Sequence, residues 1–222
     1  MYIIIAGGGI VGRTMASKLV KKHDVIVIDT DQRTCERIYS NYGAITINAN
    51  ATQISTLKEA GMEKCDVALG VMRHDSDNLA FSLLAKNFGV DKILVRMREP
   101  EYKSAYKLAG ASNIGSTTDM IVNKFFMDIE EPEIRKIGSI GDGKAEISII
   151  TIPEKAKCAG KSISDIVQNS DFPEDCIIAG IYDQDEDHLI IPGGSKEIHE
   201  HNQVFIITSE EKTKIAAKAL MK

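Results

Sequence analysis

The chain has 222 residues, of which 43% are hydrophobic and 27% charged, and its formal net charge is -5. This composition is typical of a globular protein, and the acidic balance argues against nucleic-acid binding, which needs a basic face. No apolar run approaches the roughly 20 residues that span a bilayer, so we expect no direct membrane insertion. The four cysteines contain no C-x-x-C pair, which predicts reduced thiols and no zinc site. Because the N-terminus enters an apolar run directly, we expect no signal peptide and a cytoplasmic protein.

The first 29 residues predict a strand, a glycine turn, a helix and a second strand. Residues 2–6 (YIIIA) are an apolar run, and a glycine-rich G-x-G-x-x-G motif follows at Gly7, Gly8, Gly9, Ile10, Val11 and Gly12. A helical pattern covers residues 11–22, with Val11, Met15 and Leu19 expected on its inner face. A second apolar run, residues 25–28, ends at Asp29. This order is the context in which such a motif binds a dinucleotide.

Each part of this unit has a role in holding an adenine nucleotide. Gly7 allows the tight turn, Gly9 the close approach of a pyrophosphate, and Gly12 close packing of the helix on the strand. The N-terminus of that helix offers free N–H groups to the phosphates, and Arg13 adds a further contact. Asp29, with Thr30 beside it, accepts hydrogen bonds from ribose hydroxyls and repels the 2′-phosphate of NADP. A tight turn without a ligand is the alternative, but it leaves Asp29 unexplained.

Strands and helices alternate as far as residue 129, which predicts an α/β fold with a Rossmann-like, doubly wound parallel sheet. Asp31 and Gly43 are the expected caps of the second helix. Ligands of such sheets bind at the carboxyl ends of the strands. Beyond the glycine turn and Asp29, the candidate site positions are therefore Asn50, Ala51, Met72, Arg73 and residues 96–98 including Arg96. The further strands are predicted at residues 44–47, 67–72, 93–97 and 112–114, and the further helices at 32–39, 54–60, 101–108 and 118–129, with one more ending at residue 88.

The pattern changes at Glu130, Glu131 and Pro132, where a charged, glycine-rich linker is predicted as far as residue 143. We therefore expect two domains, residues 1–135 and a smaller α+β domain over residues 136–222. The acidic run 183–187 predicts a hairpin turn rather than a calcium loop, and the histidines at 199 and 201 predict a polar turn. The strands of the second domain are predicted at residues 145–152, 176–182, 188–191 and 204–208, and its helices at 162–168 and 210–222.

Several stretches together resemble the TrkA-type regulatory subunits of potassium transport, which carry one RCK N-domain and one RCK C-domain. They are IIIAGGGIVGRTMA, VIVIDTD, NANATQISTLKEAGMEKCDVALGVMRHDSDN and ILVRMREPEY, followed by CAGKSISDI, CIIAGIY and IIPGGSKEIHEHNQVFIIT. Three positions depart from the family pattern. The family often has Gly-Asp at Ala49-Asn50 and at His201-Asn202, and Thr at Met72.

The resemblance implies a ligand, NAD(H) or alternatively ATP/ADP, and no catalytic or metal site. It places the phosphates on residues 7–11, the ribose on Asp29, the adenine near Asn50 and Ala51, and the far half of the ligand near Met72, Arg73 and Arg96. It also implies that the protein forms a homodimer and that such dimers assemble further into a tetramer or an octamer. An integral membrane potassium transporter would be the partner at the inner face of the cell membrane.

Three alternatives remain open. An NAD-dependent oxidoreductase would need a substrate pocket with a proton donor facing the nicotinamide, and the small C-terminal domain is the only region left for it. Near the expected crevice, His74 and Asp75 are the one pair suited to proton chemistry, although an exposed loop histidine is the favoured interpretation. An oligomerisation adaptor would bind no nucleotide at all. For the helix at 118–129, whose apolar stripe includes Ile121, Phe125, Phe126 and Ile129, exchange with a second subunit is favoured over ordinary core packing.

Overall fold

The computed structural model describes residues 1–141 and 144–221 and divides into two compact units, Met1–Ile121 and Val122–Lys222. The strands of the first unit are β1 (Tyr2–Ala6), β2 (Asp24–Asp29), β3 (Ile45–Asn48), β4 (Val67–Gly70), β5 (Lys92–Met97) and β6 (Asn113–Ser116). Its helices are α1 (Ile10–Leu19), α2 (Gln32–Tyr42), α3 (Ile54–Glu59), α4 (Asp75–Asn87) and α5 (Lys103–Leu108). Helix α6 (Thr117–Glu130) begins in the first unit and ends in the second.

The six strands of the first unit form one sheet in the order β3-β2-β1-β4-β5-β6, and every pair is parallel. Both faces of the sheet are covered, as alternate residues of β1 show. Ile3 and Ile5 belong to a core with Ala16 of α1 and Ile38 of α2. Ile4 belongs to a second core, which includes side chains from α3, α4 and α5. The predicted doubly wound fold is therefore confirmed. The strand order reverses between β1 and β4, which places the crevice of such a sheet at their carboxyl ends.

The helix ends follow from local chemistry. The Asp31 side chain accepts a hydrogen bond from the Thr34 N–H, and Gly43 is left-handed with φ 73°, so both predicted caps of α2 are confirmed. The predicted inner face of α1 is wrong at one position. Gly12 and Ala16 are buried, whereas Val11 is exposed. The helix turns its two small residues, Gly12 and Ala16, toward the sheet because they allow the closest approach, and this places Val11 on the outer side.

The second unit contains an antiparallel sheet in the order β11-β10-β13-β8-β7 and a two-stranded sheet formed by β12 and β9. Helix α8 packs on this sheet, and Ile150, Ile206 and Leu220 are fully buried in the resulting core. The strands are β7 (Ile134–Ile140), β8 (Ala145–Thr151), β9 (Lys161–Ser162), β10 (Ile177–Asp183), β11 (His188–Ile190), β12 (Glu197–Ile198) and β13 (Gln203–Thr208). The helices are α7 (Ile163–Val167) and α8 (Glu210–Met221).

The predicted linker is largely wrong, because β7 occupies residues 134–140 as the edge strand beside β8. Lys136 forms an ion pair with the buried Glu146 of the neighbouring strand, and the register shifts between Lys136 and Gly138. Charged and glycine residues are common at sheet edges, where they replace the alternating pattern of a half-buried strand. Residues 142 and 143 of the predicted linker lie outside the described residues.

The compact units divide between Ile121 and Val122, inside α6, whereas the sequence predicts a boundary after residue 135. The reason lies in the second half of α6. Met127 packs against the core of the second unit, and the Glu131 carboxylate lies 2.7 Å from the Lys214 ammonium of α8. Over the described residues, the helices are too short or too polar for any of them to traverse a bilayer.

Candidate functional site

A cavity of about 440 Å³ lies at the carboxyl ends of β1 to β5, where the doubly wound topology places a ligand. We call it the crevice. It brings together predicted site residues from five separate segments of the chain. Those that line it are Gly7, Gly9, Asp29, Thr30, Asn50, Ala51, Met72, Arg73 and Arg96.

The glycine turn shows which of its residues the fold itself requires. Gly7 has φ 103°, and its N–H donates to the Ile28 carbonyl at 2.8 Å. A Cβ on Gly12 would lie 1.8 Å from the Gly7 carbonyl oxygen, so only glycine lets α1 start this close to β1. A Cβ on Gly8 would lie 2.7 Å from Cγ2 of Thr34, which means that Gly8 makes room for α2.

Gly9 differs from the other glycines of the motif. A Cβ built on Gly9 would meet no atom of the described residues within 4 Å, and its φ of -60° is open to any residue. None of these neighbours therefore requires glycine at this position, although Gly9 lines the crevice. Open space beside the N-terminus of α1 is the condition under which a pyrophosphate can approach the main chain.

Asp29 is held in place by backbone donors at the rim of the crevice. Its Oδ2 accepts from the Gly8 N–H at 2.6 Å, and its Oδ1 accepts from the Asp31 N–H at 2.8 Å. A carboxylate has about four acceptor positions, so each oxygen keeps one for a ligand. The half-exposed carboxylate is thus oriented before any ligand arrives. Burial, followed by the charge of Asp29, raises the pKa of the neighbouring Cys35 thiol.

The far side of the crevice is formed by the segment that follows β4 and by Arg96, near the end of β5. The Asn78 amide links them, because its Oδ1 accepts from the Met72 N–H at 2.8 Å and its Nδ2 donates to the Met72 and Arg96 carbonyls, each at 3.2 Å. Arg96 reaches the crevice from β5, and its buried Nε has no hydrogen-bond partner in the described part of the chain. That N–H is available to an acceptor on a ligand.

The remaining predicted contacts lie outside the lining of the crevice. These are Gly8, Ile10, Val11, Gly12 and Arg13, and Ile10 is 72% exposed on the first turn of α1. The predicted proton pair also separates. His74 lies exposed on the lining, whereas the buried Asp75 carboxylate accepts from the backbone after β5 and from Tyr106.

Ala49 and Asp77 line the crevice but were not among the predicted site residues. Ala49 directly precedes Asn50, and Asp77 lies in the first turn of α4, the helix that follows β4. Their signal in the sequence is position alone, since both follow strand ends.

The acidic turn of the second unit is held by its own hydrogen bonds, and neither it nor the cysteines belong to a metal site in the described residues. The Asp183 side chain accepts from the Asp185 and Glu186 N–H groups, which closes the predicted hairpin turn between β10 and β11. Within residues 1–141 and 144–221, no group of three or more potential ligands could hold a metal ion. All four cysteines are free thiols, and burial raises the pKa of Cys158 and that of Cys176 to about 11.

The two units correspond to two known domain types. Family models for the TrkA-N domain and the TrkA-C domain match residues 3–117 and residues 147–220. The chain belongs to the TrkA family.

Members of the TrkA family differ in length. A Trk system potassium uptake protein TrkA homolog from Methanothermobacter thermautotrophicus is 28% identical over 219 residues, which cover 98% of both chains. A TrkA homolog from Archaeoglobus fulgidus is 31% identical over 218 residues, covering 95% of this chain but 48% of that protein. The chain thus spans nearly all of the first relative and about half the length of the second.

Solved structures with RCK domains have the same fold. A structure of the GsuK channel and one of the GsuK channel bound to NAD each match all of this chain and 39% of their own, with a TM-score of 0.69 at 17% identity. A structure of GsuK bound to ADP matches 60% of this chain and 35% of its own, with a TM-score of 0.52 at 19% identity.

Proposed function

We propose that the protein is a regulatory subunit of a potassium transport system that binds an adenine nucleotide in the crevice and performs no catalysis. NAD(H) is the favoured ligand, with ADP or ATP as the alternative. The observation that carries the proposal is the oriented Asp29 carboxylate at the rim of the crevice, beside the glycine turn. Two acceptors held by the backbone suit the two hydroxyls of an adenosine ribose.

The topology supports an orientation for the ligand. Asp29 ends β2 and Asn50 follows β3, so the adenosine would lie over this half of the sheet. The glycine turn after β1 would hold the phosphates. The far half of a dinucleotide, or the terminal phosphates of ATP, would then meet Arg73 and Arg96 after β4 and within β5.

The comparisons support the same ligand class and role. The solved structures of GsuK, a channel with the same fold, include complexes with NAD and with ADP. The relatives from two archaea are named as Trk system potassium uptake proteins. A membrane potassium transporter is therefore the partner on which this protein would act, from the cytoplasmic face.

Regulation requires that the nucleotide bind two conformations with different affinity. A coupling of about 1–3 kcal/mol, or roughly 5–150-fold in affinity, is typical. Helix α6 supplies a surface through which two copies could share the change. Its residues Ile121, Phe125 and Ile129 are each more than half exposed.

A thermal-shift titration with NAD, NADH, ADP and ATP tests nucleotide binding. At a hundred times its Kd, a ligand adds about 2.7 kcal/mol of stability. We expect such a shift for the wild type and its loss in Asp29→Ala. The matched control is Asp24→Ala, because Asp24 is an exposed carboxylate at the opposite end of the same strand. If no nucleotide shifts the melting temperature of the wild type, the protein would instead be an oligomerisation adaptor that binds no nucleotide.

The same two variants separate regulation from catalysis. With the protein bound to its transporter in vesicles, nucleotide should change potassium flux for the wild type and for Asp24→Ala but not for Asp29→Ala. Steady turnover of NADH with a small substrate, lost when His74 is replaced by Gln, would instead establish an oxidoreductase.

A further inference from the structure

Asp75 is a buried carboxylate that the nucleotide-binding proposal leaves without a role. It is the first residue of α4 and is 5% exposed. Its oxygens accept from the Arg98 N–H at 3.1 and 3.2 Å, from the Glu99 N–H at 2.9 Å and from the Tyr106 hydroxyl at 2.8 Å. All three donors lie more than twenty residues further along the chain, beyond β5.

A buried carboxylate is costly unless donors replace its water. Here three donors do so, and none of them belongs to α4, whose N-cap residue His74 makes no capping hydrogen bond through its side chain. Burial, followed by the hydrogen bond to Asp75, raises the pKa of Tyr106, so the phenol remains a donor to the carboxylate. The carboxylate therefore fixes the backbone after β5 through hydrogen bonds and does not cap its own helix.

The geometry joins the segment after β4, which lines the far side of the crevice, to the backbone just beyond β5, the strand that carries Arg96. Arg73 and His74 directly precede Asp75, and Arg96 lies two residues before Arg98. The guanidinium of Arg98 also donates to the Arg73 carbonyl, at 3.3 Å. The Asn78 amide also donates to the Arg96 carbonyl. Hydrogen bonds of Asp75, Arg98 and Asn78 therefore connect the chain after β4 with the end of β5 at three places.

We infer that Asp75 is a positioning residue for the far half of the crevice, an inference that rests on the proposed nucleotide binding. It holds the backbone two and three residues beyond Arg96 against the segment after β4, so that the end of β5 keeps Arg96 facing the same part of the ligand as Arg73. The near half, with Asp29 and the glycine turn, does not depend on it. Ligands of different length should therefore respond differently when Asp75 is changed.

AMP and NAD distinguish this role from a general effect on stability. AMP would occupy the near half only, whereas NAD would extend between the β4 and β5 exits. In Asp75→Asn we expect the Kd of NAD to rise about tenfold, equal to about 1.4 kcal/mol, while that of AMP changes by less than about twofold. Isothermal titration calorimetry on the full chain measures both, and ATP serves in place of NAD if the wild type binds only ATP.

Tyr106→Phe keeps the test decisive if Asp75→Asn does not fold, because it removes one donor and leaves the carboxylate in place. It should weaken NAD selectively and by less. Asp91→Asn is the control, since Asp91 is an exposed carboxylate just before β5, at the opposite end of that strand. Equal weakening of AMP and NAD, or no weakening of either, would overturn the inference alone. No binding of AMP, NAD or ATP by the wild type would overturn the proposed function and the inference with it.

Discussion

The glycines of the first turn divide into those that the fold needs and one that it does not. Gly7 adopts a left-handed conformation, and Gly12 leaves no room for a Cβ beside the Gly7 carbonyl. Gly8 makes room for Thr34 of α2. Gly9 alone faces open space. Apart from the modest preference of a helix N-cap for glycine over alanine, a ligand is therefore the remaining physical reason for glycine at this position.

Substitution of these glycines by alanine should separate the two effects. Because a Cβ on Gly12 would meet backbone, we expect Gly12→Ala to destabilise the protein by about 1–3 kcal/mol or more. At Gly9, where the Cβ meets nothing, alanine should cost less than about 1 kcal/mol yet weaken nucleotide binding several-fold. Urea denaturation measures the first effect and calorimetric titration the second.

The opposite pattern would contradict this division. If Gly9→Ala bound NAD as tightly as the wild type, the pyrophosphate would not approach the main chain at this residue. If Gly12→Ala kept full stability, the contact between α1 and the Gly7 carbonyl would be able to relax.

At the scale of elements, the sequence predicts the parallel sheet well because each of its signals is local. Buried strands are continuous apolar runs, and caps such as Asp31 act within one turn. It fails at β7, an edge strand whose lysine and glycine resemble a linker. It also misses β9 and β12, which are two residues each and exist through pairing with each other. Pairing across the chain leaves no local pattern.

The candidate site follows the same division. The positions of Gly7, Asp29 and Arg96 on the crevice could be predicted, because each lies next to or within a strand of the parallel sheet. The burial of Asp75 and its bonds to residues beyond β5 could not, because they depend on tertiary contacts more than twenty residues apart.

Helix α6 exposes several large apolar side chains in the single chain. Over the described residues, no side chain of α6 is fully buried, and Phe125 and Phe126 are 59% and 58% exposed. An apolar stripe of this kind on a helix is typical of an interaction surface. We therefore expect α6 to pack against a second copy of the chain, as the resemblance to the family implies.

Phe125→Glu tests this expectation. A charge in the stripe would have to be desolvated in the interface, so self-association should weaken at least tenfold, about 1.4 kcal/mol. Asn123→Glu adds the same charge outside the stripe and serves as the control. Sedimentation equilibrium measures the association. Unchanged association of Phe125→Glu would favour core packing or a different interface.

At the scale of the whole molecule, the two units are stabilised by separate sets of buried side chains. The clusters of the first unit contain residues such as Ile5, Phe81 and Tyr106. The cluster of the second unit is drawn from residues 127 to 221. Because the residues described as lining the crevice all belong to the first unit, the free energy of nucleotide binding should stabilise that unit directly.

A cavity in each core tests how far the two units are energetically independent. Ile150→Ala removes a fully buried side chain from the second unit, and Phe81→Ala removes one from the first. Each should cost about 2–5 kcal/mol in its own unit. We expect Ile150→Ala to leave the Kd of NAD within about twofold of the wild type, since 1 kcal/mol would already change it about fivefold. A Kd that rises in Ile150→Ala would mean that the second core influences the geometry of the crevice.

Hydrogen exchange, measured with and without NAD, should show protection concentrated in residues 1–121. Protection that extends equally into the second unit would mean that the two cores unfold as one. The nucleotide would then act on the whole chain rather than on the unit that binds it.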